Sequence, residues 1–274
     1  MRVLDKLDAR IDTARSLLCV GLDSDYARLP AIFLEEELPQ FAFNRAIIDQ
    51  TLEYAAAYKL NSAFYEAQGV VGWRAMQQTM DYLRQEAPDV FTIIDAKRAD
   101  IGNTSAQYAT AFFDVLGADA ITLHPYLGGE ALRPFLARHD KAAIILCHTS
   151  NPGSGELQDV IVEENGERLP MWRKVARQVA RRWNQNENCM LVVGATVPEV
   201  LRQIRAEVGA MPLLVPGVGA QGGDLQAALD AGLNADRRGV LINASRSIIF
   251  ADDPRQEARA LREQISKVRE THFK

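Results

Sequence analysis

Cysteine is scarce and follows no pairing pattern. Cys19, Cys147 and Cys189 are odd in number and none stands in a CxxC spacing, which argues against a disulfide framework and against a thiolate zinc site. Cys147 and Cys189 lie inside apolar runs, where a small buried hydrophobe is the plain role. Long uncharged apolar runs are missing as well, since none approaches the ~18 residues of a membrane span. The opening Met1-Arg2-Val3-Leu4-Asp5-Lys6 carries no apolar leader core. A soluble, cytoplasmic protein without membrane association is expected. Basic charge is in deficit: 31 Lys and Arg against 36 Asp and Glu give a formal net charge of −5. No general attraction to nucleic acid follows, and any phosphate contact must come from a local site. Low-complexity tracts and linker-like breaks are absent too, which leaves no boundary at which to divide the chain.

The 274 residues, 47% of them hydrophobic and 24% charged, suffice for a sizeable core, and barrels of roughly 250 residues count as one domain. Short apolar runs alternate with longer stretches of helical period, the mark of βα units on a parallel sheet. Eight strand candidates stand at 17–22, 56–61, 90–96, 120–123, 142–147, 190–194, 213–216 and 239–243. Each is apolar on both faces, as a strand covered by helices must be. Helices are expected near 40–55, 72–87, 103–116, 129–139, 171–187, 197–208, 223–231 and 254–271. Pro198 behind Thr196-Val197 reads as a first-turn proline after a Thr cap, and Asp253-Pro254 opens the last helix in the same way. Gly117, Gly209 and Gly232 fit helix ends. The count of eight favours a single-domain α/β fold, a (β/α)₈ TIM barrel over residues 1–274, against an open doubly wound sheet. One connection is too long for a simple loop: 148–170 holds Pro152, Gly153, Gly155 and an Asn165-Gly166 pair between apolar segments. It reads as a small hairpin insertion with a lid or binding role.

In such a barrel the polar residues at the C-terminal strand ends converge on one mouth. Those ends are Asp23, Lys59-Leu60-Asn61, Asp95-Ala96-Lys97 with Asp100 beyond, His124, Thr149-Ser150-Asn151, Pro216 to Gly223, and Asn243 to Arg246. Two-residue alternation puts Asp95 and Lys97 on one face. Carboxylates on either side keep a lysine protonated, and with Lys59 from the next strand the site can alternate Lys, Asp, Lys and Asp. That arrangement suits proton delivery to a developing anion; a surface ion-pair cluster is the alternative. The glycines of 217–223 and Arg246 read as a phosphate cradle. Thr149-Ser150 can hydrogen-bond the edge of a planar heterocycle, with Gln221 closing over base and phosphate. Asp23 can bind ribose hydroxyls or cap a helix. His124, before Pro125, reads as structural.

These residues together resemble the orotidine 5′-phosphate decarboxylase family in its type 2 form. Asp95-Ala96-Lys97-Arg98-Ala99-Asp100-Ile101-Gly102-Asn103-Thr104 is similar to that group's signature, and 149–155, 216–224 and 245–247 match further blocks in order. Ala99 stands where glycine is common, which leaves every charged group in place. The resemblance implies cofactor-independent, metal-free decarboxylation of orotidine 5′-phosphate to UMP in pyrimidine biosynthesis. It assigns Lys97 as the acid that protonates C6, Asp95 to the departing carboxylate and Lys59 to the charge network. Ser150 and Gln221 are assigned to the base, Asp23 to the ribose, and Arg246 to the phosphate. Asp100 and Thr104 are expected in the neighbouring subunit's site, which implies a homodimer. Three other readings stay open: a magnesium-dependent sugar-phosphate lyase, a Schiff-base aldolase using Lys59 or Lys97, and a phosphometabolite-binding regulator.

Overall fold

Strands that are apolar on both faces need cover on both, and closing the sheet on itself supplies the inner one. In the computed structural model, which describes residues 2–218 and 222–271, eight parallel strands form a closed barrel. In chain order these are β1 (Leu18–Gly21), β2 (Ala57–Asn61), β3 (Phe91–Arg98), β4 (Ala120–Leu123) and β5 (Ala142–His148), then β8 (Cys189–Val193), β9 (Leu213–Pro216) and β10 (Val240–Ala244). Between β5 and β8 lies a two-stranded antiparallel ribbon, β6 (Ile161–Glu164) and β7 (Glu167–Pro170). Leu18 pairs with Ile242 to close the ring. The eight expected strands are all present, and helices run between them on the outside.

The ribbon turns at Asn165-Gly166, both with positive φ, +53° and +81°, as a tight hairpin turn requires. Leu169 anchors it, buried at 1% exposure. The last helix starts where expected, the Asp253 carboxylate accepting the Gln256 N–H at 2.9 Å. The helix Pro198–Val208 does not carry the expected Thr cap. Its N-cap is Val197, one residue beyond Thr196 and without a side-chain cap, so the Thr196 hydroxyl is not at the capping position.

An amphipathic helix not foreseen from the sequence, Val3–Ala14, covers the N-terminal end of the barrel. Val3, Leu7 and Ile11 recur every four residues and are all buried. Lys6 Nζ sits 2.7 Å from Asp119 Oδ2, and the same oxygen accepts the Thr92 N–H at 2.9 Å. The Arg10 guanidinium donates to the Ala55 carbonyl at 3.0 Å and reaches Asp89 at 2.7 Å. These partners stand at the starts of β2, β3 and β4, so the helix ties three strands at the end opposite the mouth. Truncating Leu7 removes its packing there. Leu7→Ala is expected to lower unfolding free energy by about 2–5 kcal/mol in urea denaturation; a loss below about 1 kcal/mol would mean that the helix is not part of the core.

Candidate functional site

Strands running in parallel bring their C-terminal ends to one rim, and here that rim holds a line of alternating charge. Lys59, on β2, is 3% exposed. Its ammonium lies 3.3 Å from Asp23 Oδ1, just past β1, and 3.4 Å from Asp95 Oδ2 on β3. Asp95 Oδ1 in turn accepts from Lys97 Nζ at 2.7 Å and from the Thr122 hydroxyl at 2.7 Å. The order is Asp23, Lys59, Asp95, Lys97. Burial pushes the Lys59 pKa down, but the two carboxylates more than offset it and hold the group above its ordinary range. Burial likewise opposes ionisation of Asp95, yet Lys59 and Lys97 draw its pKa down to about 2. The Lys97 side chain is 48% exposed, so it is the lysine of the pair that faces open space.

Simple alternation does not put Lys97 there. The β3–β4 register shifts between Ile94 and Arg98, and Lys97 takes a left-handed φ of +48°, uncommon for a residue with a side chain. The Thr122 hydroxyl stabilises this irregularity by accepting the Lys97 N–H at 3.0 Å while donating to Asp95. Thr122 thus fixes both Asp95 and Lys97. It was not singled out from the sequence, although a polar residue within the apolar run Ala120-Ile121-Thr122-Leu123 was the available signal.

A cavity of about 300 Å³ opens above these charges, at the small end of ligand sites. Leu146, Val192 and Leu214 give it an apolar wall, and Asn61, Asn151, Asn243 and Ser247 are polar lining residues, the three asparagines being among the strand ends expected at the mouth without a role of their own. Ser150 lines it on the side of β5. Gly194 makes room for this loop, since a Cβ there would meet the Ser150 backbone nitrogen at 2.9 Å. Thr149 is gripped by Gln158 of the insertion, which accepts its N–H at 2.8 Å and donates to its hydroxyl at 2.9 Å. On the opposite side, Gly217 and Arg246 border the cavity, and Arg246 has no carboxylate partner among the described residues. Asn243 Oδ1 and Ser245 Oγ are buried with no hydrogen-bond partner there either, leaving polar capacity for a ligand.

Asp23, Lys59, Asp95, Lys97, Ser150 and Arg246 therefore meet at one cavity. Asp100 and Thr104 do not line it. The Asp100 carboxylate accepts the Ile101 N–H at 2.7 Å, and Thr104 is exposed. Within one protomer the lysine held between two carboxylates is Lys59, flanked by Asp23 and Asp95. Gln221 lies outside the described residues. His124 bonds the Ala99 carbonyl at 3.1 Å and is not a lining residue.

The family model for orotidine 5′-phosphate decarboxylase / HUMPS matches residues 16–261. A curated protein of Herpetosiphon aurantiacus named orotidine 5′-phosphate decarboxylase is 47% identical over 264 residues, covering 94% of this chain and 93% of the relative. Among solved structures, Leishmania donovani OMP decarboxylase superposes with a TM-score of 0.87 at 41% identity, covering 99% of this chain and all of that one. Leishmania donovani UMP synthase superposes at 0.90 with 42% identity; this chain is covered over 99% of its length and spans 57% of that longer protein.

The depressed Asp95 pKa has a consequence for stability. A carboxyl held below its unfolded value contributes stability above that value, near 3.8, and the contribution is lost as pH falls through about 2. Asp95→Asn is expected to flatten the acid limb of unfolding free energy against pH between these values, by up to about 1.4 kcal/mol per pH unit. Chemical denaturation at a series of pH values reads the slope, and identical slopes in both proteins would contradict the assigned charge network.

Proposed function

The chain belongs to the orotidine 5′-phosphate decarboxylase family and converts orotidine 5′-phosphate to UMP and carbon dioxide; we propose that it does so in the type 2 manner, with Lys97 delivering the proton to C6. The observation that carries this reading is the ammonium of Lys97, 2.7 Å from Asp95 and open to the cavity, beside a second lysine sealed between two carboxylates.

Loss of carbon dioxide from C6 leaves an electron pair in the plane of the pyrimidine ring, where the ring's π system cannot take it up. Enzymes lower barriers by roughly 8–23 kcal/mol, and only interactions that strengthen toward the transition state contribute. The Lys97 ammonium is such a group: its attraction grows as negative charge gathers on C6, and transfer of its proton completes UMP and leaves a neutral amine. Solvent restores that proton, so each turnover consumes one. Asp95 faces the departing carboxylate and fixes the Lys97 rotamer, while Lys59 keeps Asp95 ionised. Because the groups are already oriented by the fold, little reorganisation is needed when charge develops. Ser150 and Gln221 read the base, Asp23 the ribose, and Arg246 with the loop that carries Gln221 the phosphate. No cofactor or metal takes part in this scheme, since each carboxylate at the mouth is already neutralised by an ammonium.

Asp100 and Thr104 act across a homodimer interface in this reading. Its support is their position outside their own cavity, next to an apolar face on which Ile101 is 64% and Tyr126 83% exposed. In this scheme two such faces meet, each Asp100 is assigned to the partner's Lys97, and it supplies the second carboxylate flank that one protomer lacks.

Lys97→Ala is expected to remove decarboxylation while UMP binding stays within a few fold, measured by calorimetry alongside the fall in ultraviolet absorbance on turnover. Substantial residual turnover would remove Lys97 from its role. The same assay on protein dialysed against EDTA separates this scheme from a magnesium-dependent one, which activity loss would favour. Mixing Lys97→Ala with Asp100→Ala protein is expected to regenerate activity through hybrids carrying one intact site, and none after demonstrated subunit exchange would place Asp100 outside the partner's site.

A further inference from the structure

The end of the barrel opposite the mouth carries a second cavity, of about 530 Å³. Three separate segments contribute cations to it: Arg15 ahead of β1, Arg237 and Arg238 in the connection before β10, and Arg262, Lys267 and Arg269 on the helix Pro254–Thr271. Three carboxylates share the lining, Asp236, Glu263 and Glu270, and one of them is engaged elsewhere, Glu263 accepting from Arg259 at 2.8 Å. A local positive excess thus stands on a chain whose formal net charge is −5.

Several of the cations are not used up by the fold. Arg262 packs over the Tyr54 ring, with 5.7 Å from Cζ to the ring centroid, and its Nε is buried with no hydrogen-bond partner among the described residues. Arg269 donates Nε to the Arg237 carbonyl at 2.9 Å, a neutral acceptor that leaves its charge unbalanced. Arg15, Arg262, Lys267 and Arg269 form no ion pair within the described residues; Arg238 pairs with Asp12. Burial lowers the Arg269 pKa, with Arg238 adding to the effect and Asp12 opposing it. Arg269 in the last turn suits the negative end of a helix dipole. Arg15 likewise stands at the C-cap of the helix Val3–Ala14, but Arg262 has no such reason to be there, and a guanidinium whose Nε is shut off from water is costly unless a partner arrives.

We propose that this cavity binds a multiply charged phosphate chain, a di- or triphosphate either free or carried by a nucleoside, at a site separate from the catalytic mouth. Guanidinium groups converging from three segments match an extended row of phosphate oxygens with paired hydrogen bonds. The volume falls in the range of sites for small organic ligands. Occupancy would also join the last helix to the β1 and β10 ends and relieve the mutual repulsion of its cations.

Calorimetric titration of the full chain with inorganic tripolyphosphate, with the mouth kept filled by saturating UMP, tests the site. Saturable binding that weakens as salt is raised is expected, together with a rise in melting temperature. Arg15→Gly suits the left-handed φ of +49° at that position and leaves the fold intact, and Lys267→Gln alters an exposed side chain. The double variant is expected to bind about tenfold more weakly or worse with unchanged turnover of orotidine 5′-phosphate. ATP in place of tripolyphosphate distinguishes the sources: equal affinity means that the phosphate chain alone is read, and tighter binding that the nucleoside is read too. Absence of saturable binding, displacement by UMP, or wild-type affinity in the double variant would overturn the proposal.

Discussion

An ammonium buried at 3% exposure with two carboxylates around it is the constraint on which the rest of the site depends. Lys59 is tolerable at the end of β2 only because β1 and β3 deliver Asp23 and Asp95 to either side. Removing either partner leaves a buried charge uncompensated, a large penalty compared with the modest net worth of an intact pair. The three strand ends are therefore held in a fixed mutual register by electrostatics as well as by the sheet's hydrogen bonds. That register allows Asp95 to present its second oxygen to Lys97, and Lys97 to remain partly in the open. The sealed lysine helps to keep Asp95 ionised, and the exposed one faces the cavity.

Geometry around Lys97 shows how much the barrel departs from ideality to achieve this. A regular β3 would continue its pairing with β4, whereas the observed register shift and the left-handed backbone lift the Lys97 side chain toward the mouth. Such backbone costs of order 1–3 kcal/mol and persists only where its surroundings determine it. Thr122 is the determining neighbour, bonding the backbone nitrogen of Lys97 and the carboxylate of Asp95 with a single hydroxyl.

The eight strands and the members Asp23, Lys59, Asp95 and Lys97 were legible from the sequence because parallel strands flanked by helices are apolar throughout, so a charge at the end of such a run stands out. Thr122 was not, since one hydroxyl within an apolar strand carries no signal of what it bonds. Alternation reached the right outcome for Asp95 and Lys97 through a regularity that the strand does not keep. Asp100 was expected in the neighbouring subunit's site, and within its own protomer its carboxylate turns to the Ile101 N–H. The Val3–Ala14 helix has a legible apolar spacing at Val3, Leu7 and Ile11, hidden by reading that segment only for a leader. The basic cavity could not be seen at all, because its cations come from segments more than two hundred residues apart and the net charge points the other way.

The insertion between β5 and β8 is best understood through its attachments. Adjacent residues at its centre are tied to adjacent residues at its root: Gln158 holds Thr149 through two hydrogen bonds, and Asp159 lies 3.1 Å from the buried His148. Ser150 follows immediately, pressed against Gly194 where any side chain would collide with its backbone. The wall of the cavity beside Ser150 is therefore clamped from the insertion on one side and from β8 on the other. A loop free to adjust would accept planar rings of different edges about equally, since discrimination requires donors and acceptors that cannot re-form their bonds around the wrong partner. Clamping the loop at its root makes the position of Ser150 and its neighbours a property of the fold.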